Sequence, residues 1–245
     1  MHRFFVEESA IGEDSVIIQG NDFNHIANVL RMQVGEVILI SDGNDREYKC
    51  EISEITQDTV ISKIIDMNAA SRELPIKVTI FQALPKGDKM EQVIQKVVEL
   101  GAVEIVPVKT SRCIVKLDDK KAKKKVERWN TIAESAAKQS KRGIIPNVCA
   151  VKTYKEALDY AKDMDMVLIP YEQAENMEYT REVLSGIKKD ISIGVFIGPE
   201  GGFSTQEVEE CQEIGASCIT LGKRILRTET AGMMIMSVLM YLSEG

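Results

Sequence analysis

The chain has 245 residues, 44% hydrophobic and 28% charged, with a formal net charge of -7. That composition suits a folded protein with a sizeable core, and the length allows one large domain or a small and a medium one. Five cysteines at positions 50, 113, 149, 211 and 218 form no CxxC pair and have no neighbouring histidine. This argues against a disulfide framework or a bound metal and fits a reducing, cytoplasmic setting. The longest apolar run, 233–242, is too short to span a bilayer, and the chain opens on a strand-like RFFV rather than a signal peptide, so no membrane partner is expected.

Residues 1–66 predict short strands at 3–6, 15–19, 36–41, 47–55 and 59–65, with Asp42-Gly43-Asn44-Asp45 as a turn. Between them, 21–31 carries His25, Ile26, Val29 and Leu30 at helical spacing, with Asn21 or Asp22 able to cap. Together they describe a small β-barrel with one helix packed on it. Residues 67–75, MNAASRELP, are polar and small and end in Pro, which reads as a linker.

Beyond the linker, strands alternate with helices, the signature of an α/β domain. Strands are expected at 76–83, 103–108, 166–169 and 191–197, and an extended segment at 144–151. Helices are expected at 88–100, closed by Gly101, and at 120–140 and 154–162. Ser204-x-x-Glu207 forms a capping box for a helix ending near Gly215. Ile219, Thr220 and Leu221 make a last short strand, and Thr228 opens the final helix.

The charge is unevenly spread. Residues 109–142 hold twelve Lys/Arg against four Asp/Glu, whereas residues 1–66 hold five against thirteen. The basic segment is either a solvated helix face or an electrostatic grip on RNA phosphates. The final helix is apolar nearly all round from 231 to 242, so it is either wholly buried or one half of a homodimer seam.

Two strand-end loops, Gly198-Pro199-Glu200-Gly201-Gly202 and Gly222-Lys223-Arg224-Ile225-Leu226-Arg227, suggest a pocket at the edge of a sheet, with Tyr171 and Glu172 as weaker contributors. Gly201 and Gly202 would let a flat ligand or a ribose lie against bare backbone. Neither GxxxxGK[ST] nor GxGxxG occurs, which excludes the usual phosphate and dinucleotide loops. Thr228 or Thr230 could cap the last helix, but Arg227 and Glu229 need another reason, since Arg is disfavoured at a helix's positive end.

GPEGGFS followed by LGKRILRTETA, with LPKGDKMEQVIQKVVELGA upstream and MHRFFV at the start, resembles the bacterial 16S rRNA uridine-N3 methyltransferases of the SPOUT superfamily across essentially the whole chain. The resemblance implies a PUA-like β-barrel over 1–68 that positions RNA, and over 74–245 an α/β methyltransferase domain with a C-terminal trefoil knot. It implies a homodimer that binds S-adenosylmethionine and methylates N3 of one uridine of 16S rRNA, within the small ribosomal subunit. Ile197, Gly198, Pro199, Glu200, Gly201, Gly202, Leu221, Gly222, Ile225, Leu226 and Arg227 match the cofactor loops. Arg227 is the expected catalytic stabiliser and Glu229 a possible base, with Glu200 equally able to hold a cofactor hydroxyl. RNA contact is expected from Arg3, His25 and Arg31 in the barrel and from Lys86, Lys89, Arg112, Lys138, Lys141 and Arg142. Two alternatives stand beside this reading: an RNA-binding module without catalysis, and a SPOUT enzyme that methylates a ribose 2′-oxygen.

Overall fold

Alternation of apolar and polar residues builds the first of two sheets. The computed structural model describes residues 1–43, 46–68, 72–115, 117–174 and 176–244. Asn44 and Asp45 of the expected turn, residues 69–71 of the expected linker and Lys116 of the basic segment lie outside the described residues. The chain divides into two compact units, Met1–Glu73 with Ala137–Ile145, and Leu74–Ala136 with Pro146–Gly245.

In the first unit, β1 (Arg3–Phe5), β2 (Ser15–Ile18), β3 (Val37–Ser41), β4 (Glu47–Ile55) and β5 (Val60–Asn68) form one sheet in the order β1-β3-β4-β5-β2. The β1–β3 pairing is parallel and the rest are antiparallel. Val16 and Ile18 of β2 turn into the core while Ile17 between them is exposed, as the two-residue period of a strand requires. Helix α1 (Gly20–Asn24) continues into a π-type turn at His25–Val29, with Ile26 buried beneath it. The helix starts before Asn21 and has no side-chain cap. Asp22 is engaged elsewhere: its carboxylate accepts a hydrogen bond from Lys138 Nζ at 3.1 Å.

Residues Ala137–Ile145 join this unit through buried polar contacts. The Glu73 carboxylate is chelated by the Arg142 guanidinium and accepts the N–H of Gly143 at 2.9 Å. Arg3 pairs with Glu47 and donates to the Arg142 carbonyl at 2.6 Å. Ser41 Oγ donates to the Gly143 carbonyl at 2.7 Å. Arg3 and Arg142 side chains are each only 4% exposed, so both are structural cations. The expectation that they contact RNA is corrected: both guanidinium groups are enclosed by the protein and turned to internal carboxylates, where a phosphate cannot reach them.

The second unit holds an all-parallel sheet in the order β12-β10-β11-β6-β7, with β8 and β9 pairing successive stretches of β7. In chain order its elements are β6 (Lys77–Ala83), α2 (Lys89–Glu99), β7 (Glu104–Lys109), α3 (Asp119–Ser140), β8 (Asn147–Val148), β9 (Lys152–Thr153), α4 (Tyr154–Ala161), β10 (Met166–Pro170), α5 (Met177–Ser185), β11 (Ser192–Ile197), α6 (Thr205–Glu213), β12 (Ser217–Ile219) and α7 (Thr228–Glu244). The last turn of α3, from Ala137, groups with the first unit. The central strands β6 and β11 are buried almost throughout, as expected of parallel strands covered on both faces. Phe81 and Phe196 stack between them with ring centroids 4.4 Å apart.

Helix α2 ends at Gly101, whose φ of +102° is left-handed. Helix α5 was not foreseen in the sequence, although the Asn176 side chain caps it by accepting from Tyr179 N. Strand β12 also ends two residues earlier than expected, because the Thr220 N–H leaves the ladder to bond the Thr180 hydroxyl of α5 at 3.0 Å. The chain then doubles back. β12 is the edge strand beside β10, yet α7 packs against α2 and β11 at the centre of the sheet. This return is where the family resemblance puts the trefoil knot. Among the described residues no helix is long and apolar enough to cross a membrane.

Replacing Glu73 by Ala removes the carboxylate to which both the buried Arg142 guanidinium and the Gly143 N–H donate. The variant should lose about 3–5 kcal/mol of stability in urea denaturation, and Arg142→Ala should likewise act on stability.

Candidate active site

In a parallel sheet, the loops that follow the strands collect at one end and make the natural ligand crevice. Here the ends of β10, β11 and β12 open onto a cavity of about 410 Å³. Every cofactor position expected from the sequence lines it except Gly201. Gly201 is exposed and turned towards β7's loop, where its carbonyl accepts from Arg112 Nη1 at 2.8 Å. Tyr171 and Glu172 do line the cavity.

The β11 loop is shaped by a turn in which Gly202 N donates to the Pro199 carbonyl at 2.9 Å, with Gly202 at φ +65°. A Cβ on Gly198 would stand 3.3 Å from the Gly202 backbone and from the Phe203 ring, so a side chain here would press on the turn. After the turn, Ser204 caps α6 in a full capping box with Glu207. The second oxygen of that buried glutamate accepts Ser111 N at 2.7 Å, which ties the β7 loop to the start of α6.

The cavity's other wall is the segment from Thr220 to Thr228 that runs into α7. Thr228 is not the helix cap expected of it. Its hydroxyl donates to the Gly198 carbonyl at 2.6 Å and accepts from Gln82 Nε2 at 2.9 Å. Helix α7 begins instead on the Arg227 carbonyl, which takes the N–H groups of Thr230 and Ala231. The Arg227 side chain is exposed and makes no hydrogen bond or ion pair among the described residues. Ile225 stands 84% exposed on this wall, an apolar side chain awaiting cover.

The expected base Glu229 does not line the cavity, and its side chain is only 12% exposed. Its Oε2 is buried without a hydrogen bond and lies 3.7 Å from Lys89 Nζ. Lys89, expected on the RNA surface, instead lines the cavity and bonds Glu200 Oε1 at 2.9 Å. Glu200 also accepts the Lys86 backbone N–H at 3.1 Å. The hydrogen bond to Glu200 raises the Lys89 pKa above its ordinary value. Burial pushes the Glu200 carboxyl up, but the bonds from Lys89 and from backbone N–H groups outweigh it and hold the pKa low. Both groups are therefore charged at neutral pH.

The remaining expected RNA residues scatter. His25, Arg31, Lys86, Arg112 and Lys141 are exposed. His25 sits edge-on to Phe4 with ring centroids 6.0 Å apart, and Arg31 and Lys141 have φ of +52° and +59°. Lys138 is bound to Asp22. Pattern reading missed the roles of Lys89, Thr228 and Arg224 in the cavity. Arg224 was within its reach, since it lies inside the loop already singled out.

Family comparison meets this geometry. A model of the RNA methyltransferase domain matches residues 72–240, and one of the RNA methyltransferase PUA domain matches residues 18–65. The chain belongs to the RNA methyltransferase family. It is 40% identical to the ribosomal RNA small subunit methyltransferase E of Bacillus subtilis, over 100% of this chain and 98% of that protein. Among solved structures, the ribosomal RNA small subunit methyltransferase E of Neisseria gonorrhoeae, bound to S-adenosyl methionine, aligns with a TM-score of 0.84 at 32% identity over 99% of this chain and 98% of the other. A putative methyltransferase of Legionella pneumophila in complex with bound cofactor SAM aligns at 0.83 and 30% identity, over 98% and 96% of the two chains. Within this family layout, a SPOUT-type α/β domain follows a PUA-like barrel, and the cavity lies wholly in the α/β unit.

Thr228→Val keeps the shape but removes the hydroxyl shared by the Gly198 carbonyl and the buried Gln82 amide. It should lower stability in urea denaturation by about 1–3 kcal/mol.

Proposed function

We propose that this protein methylates N3 of a uridine in the 16S rRNA of the small ribosomal subunit, with S-adenosylmethionine as methyl donor. The observation that carries the reading is the cavity at the ends of β10, β11 and β12, where the loops carrying GPEGG and LGKRILR converge on one space. Its volume of about 410 Å³ falls in the range of small-molecule sites, and its walls suit this cofactor. Ile197, Leu221, Ile225 and Leu226 offer apolar surface to a flat base, and the loop backbone at Gly198 and Gly202 offers polar groups with no side chain in the way. We take residues 1–68 as the RNA-positioning domain and 74–245 as the methyltransferase domain.

When bound, the cofactor would supply an electrophilic methyl, its sulfonium becoming a neutral thioether as the sulfur–carbon bond was exchanged for the N3–carbon bond. The chain's own task is to hold the uracil in line and to manage the N3 proton. Arg227, on the cavity wall and without an ion-pair partner among the described residues, stabilises negative charge on the uracil carbonyls as N3 is deprotonated. Glu229 is the carboxylate we assign to take that proton, because Glu200 is already engaged by Lys86 N and Lys89. A paired uracil hides N3, so the target base has to be unpaired or extruded. His25, Arg31, Lys86, Arg112 and Lys141, all exposed, are the proposed RNA contacts.

A homodimer through α7 completes the proposal. One face of the helix is buried at Ile235, Met236 and Leu239, while Met234, Tyr241 and Leu242 on the rest of its surface are exposed. Sedimentation equilibrium should find a dimer, and Met234→Glu with Leu242→Glu should shift it to monomers; a monomeric wild type sinks the seam.

Mapping RNA modifications in a strain lacking the gene tests the activity directly. The expected result is a missing N3-methyluridine in small-subunit rRNA, and an unchanged pattern refutes the reading. A missing ribose 2′-O-methyl would instead favour the other SPOUT chemistry. Arg227→Ala should cut turnover at saturating cofactor at least ~10-fold. Unchanged turnover removes Arg227 from the mechanism.

A further inference from the structure

Lys89 occupies the first position of α2, the positive end of the helix dipole, where a cation is disfavoured. The local carboxylates are not its partners: Glu91 in the same turn pairs with Arg128, and Asp88 lends no side-chain cap. Its partners are two carboxylates remote in sequence: Glu200 at 2.9 Å, from the loop after β11, and Glu229 at 3.7 Å, from the first turn of α7. A buried carboxylate oxygen with no donor is costly, and Glu229 Oε2 is such an atom. Lys89 is the cation that approaches it, and Lys89 alone of the two lines the cavity. With Oε2 enclosed and turned to the ammonium, Oε1 is left as the only oxygen of Glu229 that a ligand could meet.

We propose that Lys89 is a positioning residue of the methyl-transfer site, whose ammonium locks Glu229 and Glu200 into one unit and aims Glu229 Oε1 at the N3 proton. This rests on reading the cavity as a methyltransferase site. The balance of the step is unchanged from the one given above: the N3–H bond breaks, and an O–H bond forms on Glu229. Lys89 gives up no proton. What it adds is geometry. It joins the loop that walls the cofactor space to the helix that carries the acceptor. Lys89 thereby belongs to the interior of the site and not to the RNA surface, where its charge alone would place it.

A double-mutant cycle on the full-length protein tests this. Lys89→Met and Glu229→Gln should each lower the single-turnover rate on small-subunit RNA at least ~10-fold, and the double variant should be within about twofold of the slower single, as expected for groups acting as a unit. Lys89→Arg should recover the rate to within about threefold of wild type, and the losses in Lys89→Met and Glu229→Gln should persist at saturating S-adenosylmethionine. A wild-type rate in Lys89→Met, multiplicative losses in the double variant, or recovery of the rate at saturating S-adenosylmethionine would each overturn the proposal. Urea unfolding of the cofactor-free variants adds a readout independent of activity. There the two substitutions should couple by at least about threefold in the unfolding equilibrium, and strict additivity refutes the pairing. If wild type neither binds the cofactor nor methylates RNA, the functional reading fails, while the unfolding cycle still decides whether Lys89 joins the two carboxylates.

Discussion

One hydroxyl holds the start of the last helix at the middle of the sheet. Thr228 donates to the carbonyl of Gly198, at the end of β11, and accepts from Gln82, a fully buried side chain on β6. Strand β12 leaves the chain at the sheet's edge, separated from β6 by the two strands β10 and β11. The segment 220–227 has to cross that distance, and Thr228 fixes where it lands. The cavity exists because this crossing passes over the ends of β10 and β11 instead of turning away from them. Gly198 serves the same end from the other wall, since any side chain there would meet the Gly202 backbone and Phe203.

Charge is distributed by a similar logic. A chain with net charge -7 still has to handle an anionic partner. Counting cations along the sequence points to the barrel arginines and the end of α3, but three of those, Arg3, Lys138 and Arg142, are consumed by Glu47, Asp22 and Glu73. Around the cavity the cations are in a different condition. Arg227 has no ion-pair partner among the described residues, and Lys89 is shared between two carboxylates. Charge left unneutralised beside a cavity is available to a ligand; charge enclosed by its own fold is not.

Much of the framework was legible before the structure, because it rests on local rules. The capping box Ser204-x-x-Glu207, the helical close at Gly101 and the switch from alternating strands to strand–helix repeats all depend on residues within a few positions of one another. What pattern reading missed shares one trait. The early end of β12 follows from a bond between Thr220 and Thr180, 40 residues apart. Thr228 looked like an ordinary helix cap, yet its partners are 30 and 146 residues away. Helix α5 went unread although its Asn176 cap is local, since its nine residues bury few side chains, Thr180 and Leu184 among them, and so leave a weak apolar pattern.

The sequence by itself determined the fold class, the two glycine loops and their likeness to a methyltransferase family. Backbone propensity, the period of apolar residues and the chemistry of glycine act over short spans that a linear reading can see. Only the tertiary structure decided which charged side chains are free. Lys89 moved into the cavity wall, Glu229 turned one oxygen into the protein, and Arg3 and Arg142 closed on internal carboxylates. An ion pair forms between groups that the fold brings within a few ångströms, and sequence distance carries no information about that separation.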